Sequence, residues 1–305
     1  MQIKVGLVQE SPVFFNKVET ISKIEQITKT YAGQGCDLLV FPESFIPGYP
    51  RGFTFGATIG SRTEKGRKLY AEYYENSLNV QSEDLKKLEN ISKKNKTYLV
   101  IGVTEKDDIS GSLYCSMLYI SPTSGLLGTH RKIKPTGTER IVWAEASGES
   151  LTTYQTNIGK LGGLICWENY MPLARQALYN SGVQIHAAPT WDKSDNWITS
   201  MKHIAREGGM FVISCCQALN TSDIPDSLDF KGLYPEGREW INKGNSCIID
   251  PAGKIIAGPL EEKEDILYAD IDLEKIISAK RMFDVSGHYS RPDVFKFSVN
   301  PGREI

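Results

Sequence analysis

The stretch from residue 3 to residue 41 limits the fold most, because it alternates between strand and helix patterns. Residues 3–9 have a strand pattern, and residues 16–32 repeat apolar side chains at the spacing of one helix face. That face carries Val18, Ile21, Ile24, Ile27 and Tyr31. Glycines at positions 33 and 35 end the helix, and residues 37–41 return to a strand pattern. Such a β-α-β unit predicts neighbouring strands in one sheet with a right-handed crossover, and places functional side chains at strand ends.

The remaining elements follow from the same patterns. Strands are predicted at residues 98–103, 113–120, 126–133, 151–156, 161–165, 183–187, 210–216, 246–250, 254–257 and 267–271. A helix is predicted from Ser82, with Leu85, Leu88 and Ile91 facing inward, and further helices at residues 172–180, 197–207 and 273–281. Residues 47–65 and 220–245 are predicted to be loops. Two sheets covered by helices satisfy this order.

Composition narrows the class of protein. The chain has 305 residues, 40% of them hydrophobic and 24% charged, with no linker-like stretch, so a single domain over residues 1–305 is predicted. Its 35 basic and 37 acidic residues give a net charge of -2, which offers no basic footprint for nucleic acid. No run approaches the roughly 18 apolar residues of a membrane span. The start shows no signal-peptide pattern, so a cytoplasmic location is expected.

The cysteines and histidines give no sign of a metal site. Six cysteines are scattered without Cys-x-x-Cys spacing, and the four histidines are not clustered. We therefore expect no metal, no cofactor and no disulfide framework. The neighbouring Cys215 and Cys216 lie in an apolar run and are expected to be buried strand residues.

Cys166 is the candidate nucleophile. It follows the short apolar run at residues 162–165, and Pro172 suits the first turn of the next helix. A cysteine near a helix N-terminus is expected to have a lowered thiol pKa, because the helix dipole favours the thiolate. The alternative is a buried structural cysteine, which is a common fate of free cysteines.

Two charged residues share this placement at strand ends. Glu43 comes just after the apolar run at residues 38–41, and Lys132 lies at the end of the strand predicted at residues 126–133. Glu139 lies in the loop that follows. The alternative for each is a solvated surface charge, and Glu139 has the further alternative of pairing with its neighbour Arg140.

A Glu, a Lys and a Cys at successive strand ends resemble the nitrilase superfamily, whose catalytic unit is Glu-Lys-Cys. The resemblance extends over nearly the whole chain. Its most specific motifs are CWENYMPL at residues 166–173 and KPTGTER at residues 134–140, which are similar to true nitrilases rather than to amidases, carbamoylases or cyanide hydratases. It implies a four-layer α-β-β-α sandwich.

The resemblance also implies roles for single residues. Glu43 would be the general base, Lys132 the electrophilic cation, Cys166 the nucleophile and Glu139 a supporting carboxylate. Tyr49 matches a position near the substrate in family members. Trp167 and Trp191 would be walls of the substrate pocket, and their alternative is a place in the core or an interface.

The implied reaction is hydrolysis of a small organic nitrile to carboxylic acid and ammonia through a thioimidate on Cys166. An amidase, carbamoylase or cyanide-degrading enzyme with the same three residues is the alternative, and a binding protein without turnover is a third hypothesis. Relatives of this fold pair their sandwiches, and residues 286–297 are aromatic and Arg-bearing. A homo-oligomer built on a dimer is therefore expected, with larger spiral assemblies also open.

Overall fold

The computed structural model describes residues 1–226, 228, 233–234 and 239–300. The helices are α1 Lys17–Ala32, α2 Glu64–Asn76, α3 Glu83–Asn95, α4 Pro172–Asn180, α5 Asp195–Gly208 and α6 Glu274–Met282. The strands are β1 Gln2–Gln9, β2 Leu38–Val40, β3 Ala57–Thr58, β4 Ser61–Arg62, β5 Tyr98–Lys106, β6 Leu113–Ser121, β7 Gly125–Arg131, β8 Tyr154–Thr156, β9 Gly159–Gly163, β10 Ile185–Thr190, β11 Phe211–Cys216, β12 Ala218–Asn220, β13 Trp240–Ile249, β14 Ile255–Glu261 and β15 Asp265–Asp272.

The first sheet has the strand order β15-β1-β2-β5-β6-β7. Strands β1, β2 and β5 run parallel, with Val5 opposite Leu38 and Leu38 opposite Tyr98. The predicted β-α-β unit at the start of the chain is therefore confirmed. The later strands of this sheet pair antiparallel, as short turns between them require.

The second sheet has the order β12-β13-β11-β10-β9-β8, with β14 paired to β13. Helices α4 and α5 connect the parallel strands β9, β10 and β11, so this sheet repeats the β-α-β principle of the first. The strands predicted at residues 151–156 and 161–165 form the hairpin β8-β9, and those predicted at residues 246–250 and 254–257 form the hairpin β13-β14. Cys215 and Cys216 are fully buried in β11, and all six cysteines are free thiols.

Three hydrophobic clusters define four layers. One cluster joins the facing sides of both sheets, including Leu7, Val40 and Ile213. A second packs α1 and α3 against the first sheet, and a third packs α4 and α5 against the second. This arrangement confirms the predicted α-β-β-α sandwich. Its assignment as one domain over residues 1–305 stays a prediction.

The structure corrects several predicted elements. Val18 is 62% exposed because it lines an open groove between α1 and α3. Helix α2 was not predicted, and its first two residues fall in the predicted loop 47–65. Its apolar face carries Leu69, Tyr70, Tyr73 and Tyr74, which pack against the cluster between the sheets. Strands β3 and β4 form a short ribbon in the same predicted loop.

The segment predicted as a polar loop at residues 220–245 ends as part of β13. The polar side chains there are buried with partners: Asn242 donates to the backbone oxygen of Trp191, and Asn245 to that of Lys193. Residues 227, 229–232 and 235–238 of this segment lie outside the described residues. No helix in the described part of the chain has the length and apolar character to cross a bilayer.

Candidate active site

Three strand ends converge where the two sheets face each other. Strand β2 ends at Val40, shortly before Glu43, and β7 ends immediately before Lys132. Both strands belong to the first sheet. Strand β9 of the second sheet ends shortly before Cys166. The facing sheets therefore bring together side chains that are far apart in the sequence.

Lys132 is the centre of a buried charged cluster. Its Nζ donates to Oε1 of Glu43 at 2.7 Å and to Oε2 of Glu139 at 2.8 Å, and the Lys132 side chain is fully buried. Burial alone would lower the pKa of Lys132, but the charges around it, Glu43 foremost, raise that pKa well above its usual value. The ammonium ion therefore keeps its charge next to two carboxyl groups.

Glu139 belongs to this cluster and not to the surface. It lies in the 3₁₀ helix Gly137–Ile141, where its Oε1 accepts a hydrogen bond from Tyr49 Oη at 2.7 Å and its Oε2 accepts one from the backbone N–H of Thr136 at 2.6 Å. The alternative pairing with Arg140 is wrong, since Arg140 donates to the backbone oxygen of Pro135. Glu139 can therefore hold Lys132 in place.

Glu43 has an unusual pKa for a carboxyl group. Burial raises the pKa of Glu43 to about 7 against the opposing charge of Lys132, and the charge of Glu139 raises it further. The thiol of Cys166 lies close enough to lower this pKa, although Oε2 of Glu43 has no hydrogen bond of regular geometry among the described residues. The Glu43 carboxyl can therefore gain or lose a proton near neutral pH.

Cys166 begins the 3₁₀ helix Cys166–Tyr170 with a φ of 51°, in the left-handed region that residues other than glycine rarely adopt. Thr190 Oγ1 donates to its sulfur at 3.1 Å. Burial and the neighbouring Glu43 raise the pKa of this thiol above its usual range. The expected lowering of this pKa by a helix N-terminus is wrong, because α4 begins only at Pro172 and burial, followed by the charge of Glu43, raises the thiol pKa.

Tyr49, Trp167 and Trp191 line one cavity of about 490 Å³, and Cys166 and Glu139 lie in the same lining. The rings of Tyr49 and Trp191 stack with centroids 4.6 Å apart. Trp167 is half exposed, and its Nε1 donates to Asp192 Oδ2 at 2.9 Å. Tyr49, predicted to lie near the substrate, and Trp167 and Trp191, predicted as pocket walls, therefore line the cavity that contains the thiol.

A second cavity of about 540 Å³ adjoins the first and shares four lining residues with it, Tyr49, Arg51, Glu139 and Tyr234. Arg51 Nε donates to Tyr234 Oη at 3.3 Å across the boundary between them. The combined space extends away from the buried cluster towards Leu233, which is 64% exposed. A substrate can therefore place its reacting end at Cys166 and the rest of the molecule in the second cavity.

Some residues at the site carried no prediction. Thr190 contacts the sulfur of Cys166 from the end of β10, and Asn169 Nδ2 donates to the backbone oxygen of Cys166 at 2.9 Å. Glu168 is buried and accepts several hydrogen bonds. The motif at residues 166–173 pointed to this region without revealing those partners. Among the residues that the structure describes, no cluster of three or more His, Cys, Asp or Glu side chains could hold a metal ion.

Comparison with known proteins settles the relationship. The carbon-nitrogen hydrolase family matches residues 4–281. The chain belongs to this family. Nitrilase 1 of Arabidopsis thaliana is 44% identical to this hydrolase over 302 residues, which cover 98% of the chain and 87% of the relative. An aliphatic nitrilase of Sinorhizobium fredii is 42% identical over 299 residues, covering 98% and 96%, and a bifunctional nitrilase/nitrile hydratase of Nicotiana tabacum is 42% identical over 302 residues, covering 97% and 86%.

These relatives place the hydrolase in the nitrilase branch of the superfamily. Solved structures confirm the fold at lower identity. A Saccharomyces cerevisiae member of branch 10 of the nitrilase superfamily is 22% identical, with a TM-score of 0.74 over 94% of this chain and 96% of that one. A carbon-nitrogen hydrolase of Helicobacter pylori has the same TM-score and identity over 96% and 97%.

Proposed function

We propose that this hydrolase converts a small organic nitrile to a carboxylic acid and ammonia, with Cys166 as nucleophile, Glu43 as general base and Lys132 as the electrophilic cation. The observation that supports this most is the buried Lys132 ammonium, which lies between two carboxyl groups beside a thiol that cannot ionise unaided. The relatives named as nitrilases support the choice of a nitrile.

The first step needs a strong nucleophile, because a nitrile carbon is a weak electrophile. Glu43 takes the thiol proton of Cys166 as the sulfur attacks the nitrile carbon, so that a C–S bond forms and one C–N π bond breaks. Glu43 then returns this proton to the nitrogen, which gives a neutral thioimidate. Negative charge develops on the nitrile nitrogen, where Lys132 and the backbone N–H of Trp167 are the donors. The raised pKa of the thiol makes Glu43 necessary, because the thiolate is scarce without a base.

The second step adds water to the thioimidate carbon and gives a tetrahedral adduct. Glu43 passes the two protons of this water, one after the other, to the nitrogen, so that the C–N bond breaks, ammonia leaves and an acyl-thioester remains. A second water hydrolyses the thioester and restores the Cys166 thiol. The balance is one nitrile and two waters converted to one acid and one ammonia.

The tetrahedral adduct can also expel sulfur, which releases an amide. The outcome depends on whether the nitrogen is protonated before the C–S bond breaks. Glu43 and Glu139 flank Lys132, and their negative charges favour positive charge on the departing nitrogen. We therefore expect acid as the main product, amide as a minor product and slow hydrolysis of the matching free amide.

The test measures ammonia, acid and amide released from a panel of aliphatic, aromatic and arylacetic nitriles and their matching amides, with the purified wild-type chain. Acid and ammonia from at least one nitrile is the expected result. Fast hydrolysis of the amides would instead support an amidase, and amide as the dominant product would support a hydratase. No turnover and no cysteine that reacts selectively with iodoacetamide would support a binding protein.

We further propose that the hydrolase works as a homo-oligomer built on a dimer, which spiral assemblies would extend, and that it acts in the cytoplasm without a metal or cofactor. The exposed side chains of Tyr289, Val294 and Phe295 near the end of the chain support a self-association surface. Light scattering at assay concentration checks the oligomer, and a monomer would contradict it.

A further inference from the structure

Glu168 is a buried carboxylate that accepts three hydrogen bonds. Its Oε1 accepts the backbone N–H of Ile133 at 2.6 Å. Its Oε2 accepts the backbone N–H of Ile165 at 2.8 Å and pairs with Nε2 of His130 at 3.0 Å. The side chain is fully buried, so water does not compete for these donors. One carboxylate therefore holds the backbone of two separate loops.

These loops are the ones that present the proposed nucleophile and cation. Ile133 directly follows Lys132 at the end of β7 in the first sheet, and Ile165 directly precedes Cys166 after β9 in the second sheet. We propose that Glu168 is a positioning residue that clamps these loops together and so fixes the Lys132 ammonium relative to the Cys166 sulfur. This inference rests on the proposed function and names a residue that the Glu-Lys-Cys unit does not include.

The clamp needs a carboxylate rather than any polar side chain. Three donors converge on two oxygens, and a glutamine offers only one oxygen, so an amide would turn N–H groups towards a backbone N–H. Burial alone would raise the pKa of Glu168, but His130 and the two backbone N–H groups outweigh burial, and the pKa is lowered. Glu168 therefore stays ionised at neutral pH and accepts at both oxygens.

His130 is itself held from its other side. Its Nδ1 lies 3.0 Å from Ser150 Oγ, and the ring is buried. The clamp is thus a hydrogen-bonded network that runs from the Ser150 hydroxyl to the His130 imidazole and the Glu168 carboxylate. From there it reaches the backbone N–H groups of Ile133 and Ile165. The turn that it holds starts at Cys166 in a left-handed conformation, which persists only where its surroundings hold it.

A loosened clamp has consequences for the product as well as for the rate. A displacement of about 1 Å between reacting groups can cost about 100-fold in rate. The tetrahedral adduct on Cys166 would then lie further from the groups that protonate its nitrogen. A larger share of the adduct would therefore expel sulfur and release the amide. The walls formed by Tyr49 and Trp191 are untouched, so substrate binding should change little.

The experiment compares Glu168→Gln with the wild-type chain on the preferred nitrile. We expect kcat to fall by about 100-fold, KM to change by less than about threefold, and the amide share of the product to rise. The acid-to-amide ratio is the decisive readout, because it does not depend on how much of the enzyme is folded. Glu168→Asp keeps the charge with a shorter reach, so we expect an intermediate ratio.

Glu105→Gln is the matched control. Glu105 is equally buried, but its carboxylate accepts hydrogen bonds from the side chains of Arg131 and Ser116 and, among the described residues, from neither the Ile133 nor the Ile165 backbone. This substitution is expected to lower thermal stability and to leave the acid-to-amide ratio unchanged. A ratio that shifts equally in Glu105→Gln and Glu168→Gln would overturn the proposal.

A pair of His130 variants decides the matter if Glu168→Gln does not fold. A glutamine amide nitrogen occupies about the place of imidazole Nε2 and can still donate to Glu168, whereas an asparagine amide lies at the place of Nδ1 and cannot reach it. His130→Asn should therefore raise the amide share, and His130→Gln should restore it towards the wild-type value. Equal ratios in both variants, or a wild-type ratio and kcat in a folded Glu168→Gln, would overturn the clamp. A wild-type chain that turns over no nitrile would overturn the proposed function and this inference together.

Discussion

The cavity has a buried floor and an exposed rim, and the two differ in how their side chains are held. The floor consists of Glu43, Lys132, Glu139 and Cys166, none more than 9% exposed. The rim consists of Arg51, Trp167 and Leu233. Every floor residue has a short polar contact with another buried group. Rim side chains face solvent, with Trp167 50% exposed and Leu233 64% exposed.

This difference indicates that the floor residues serve the reaction and that the rim residues select the substrate. The floor has fixed distances and shifted pKa values, which a proton transfer and a developing charge require. The rim offers the exposed indole of Trp167 and the exposed side chain of Leu233 beside Arg51, which suits the variable part of a nitrile. Floor substitutions should therefore change kcat, and rim substitutions should change KM and the order of preferred substrates.

The largest effect is expected from Cys166→Ala. The substitution removes the sulfur to which the substrate would be bound, and alanine is small enough to leave the packing unchanged. Turnover of the preferred nitrile should be abolished, as measured by ammonia release, while circular dichroism and the thermal midpoint stay close to wild type. Cys115→Ala is the control, because it removes another buried thiol, 3.6 Å from Glu43, and should retain turnover. Clear ammonia release by folded Cys166→Ala would refute its role as nucleophile.

The next largest effect is expected from Lys132→Ala and Glu43→Gln. Losing one charge-stabilising donor costs on the order of 100- to 1000-fold in rate, and the glutamine keeps the shape of Glu43 but not its basicity. Initial rates and thermal unfolding measure activity and fold together. Lys134→Ala is the control, since Lys134 is a half-exposed lysine paired with Glu145 at the surface. A Lys132→Ala rate within about tenfold of wild type would assign the cation to another residue.

A smaller effect, with a direction set by electrostatics, is expected in the pH profile. Glu43 must be ionised to accept the thiol proton, and its pKa is raised to about 7, so kcat/KM should decline as the pH falls below about 7. Glu139→Gln removes a negative charge that raises this pKa. The acidic limb of the kcat/KM profile of this variant should therefore lie at lower pH than that of wild type. Its kcat should also be reduced, because Lys132 loses a hydrogen-bond partner.

Tyr49→Phe serves as the control for that shift, because it removes the hydrogen bond to Glu139 and keeps the charge of Glu139. Its acidic limb should stay nearer to that of wild type. The apparent pKa belongs to the coupled cluster, so the comparison rests on the direction of the shift. An acidic limb that moves to higher pH in Glu139→Gln would contradict the assignment of Glu43 as the base.

The floor was more predictable from the sequence than the rim. Glu43 and Lys132 stood out because each charge follows an apolar strand, and the family motif supplied the position of Cys166. The raised thiol pKa was not predictable, since it depends on burial beside Glu43 in a different sheet. The partners of Glu168 were hidden for the same reason, because two of them lie more than 30 residues away in the chain.

The second cavity was not predicted from the sequence for a different reason. Most of its lining comes from residues 49–54, 138–142 and 233–234, which lie outside the long helices and strands, so no apolar periodicity marks them. Strand β13 contributes Ile241 to the lining of the first cavity, and its polar residues Asn242 and Asn245 are buried because they donate to backbone oxygens of the loop after β10. Sequence periodicity reports which faces meet a hydrophobic core, and the walls of this cavity are built from aromatic stacking and side-chain hydrogen bonds instead.

The smallest effect, and the sharpest test of the comparison, is expected from Trp167→Ala. The indole belongs to the rim, whereas the backbone N–H of the same residue is a proposed donor to the developing charge on the floor. Removing the indole takes away aromatic contact worth about 1 kcal/mol, roughly fivefold in KM, and leaves the backbone donor in place. KM should therefore rise for aromatic nitriles more than for short aliphatic ones, with kcat and the acidic limb of the pH profile unchanged. Trp167→Phe keeps a ring and loses only the hydrogen bond to Asp192, so it should lie between Ala and wild type. A large fall in kcat with an unchanged KM would show that the indole supports the Cys166 turn, and the division between floor and rim would then fail at this residue.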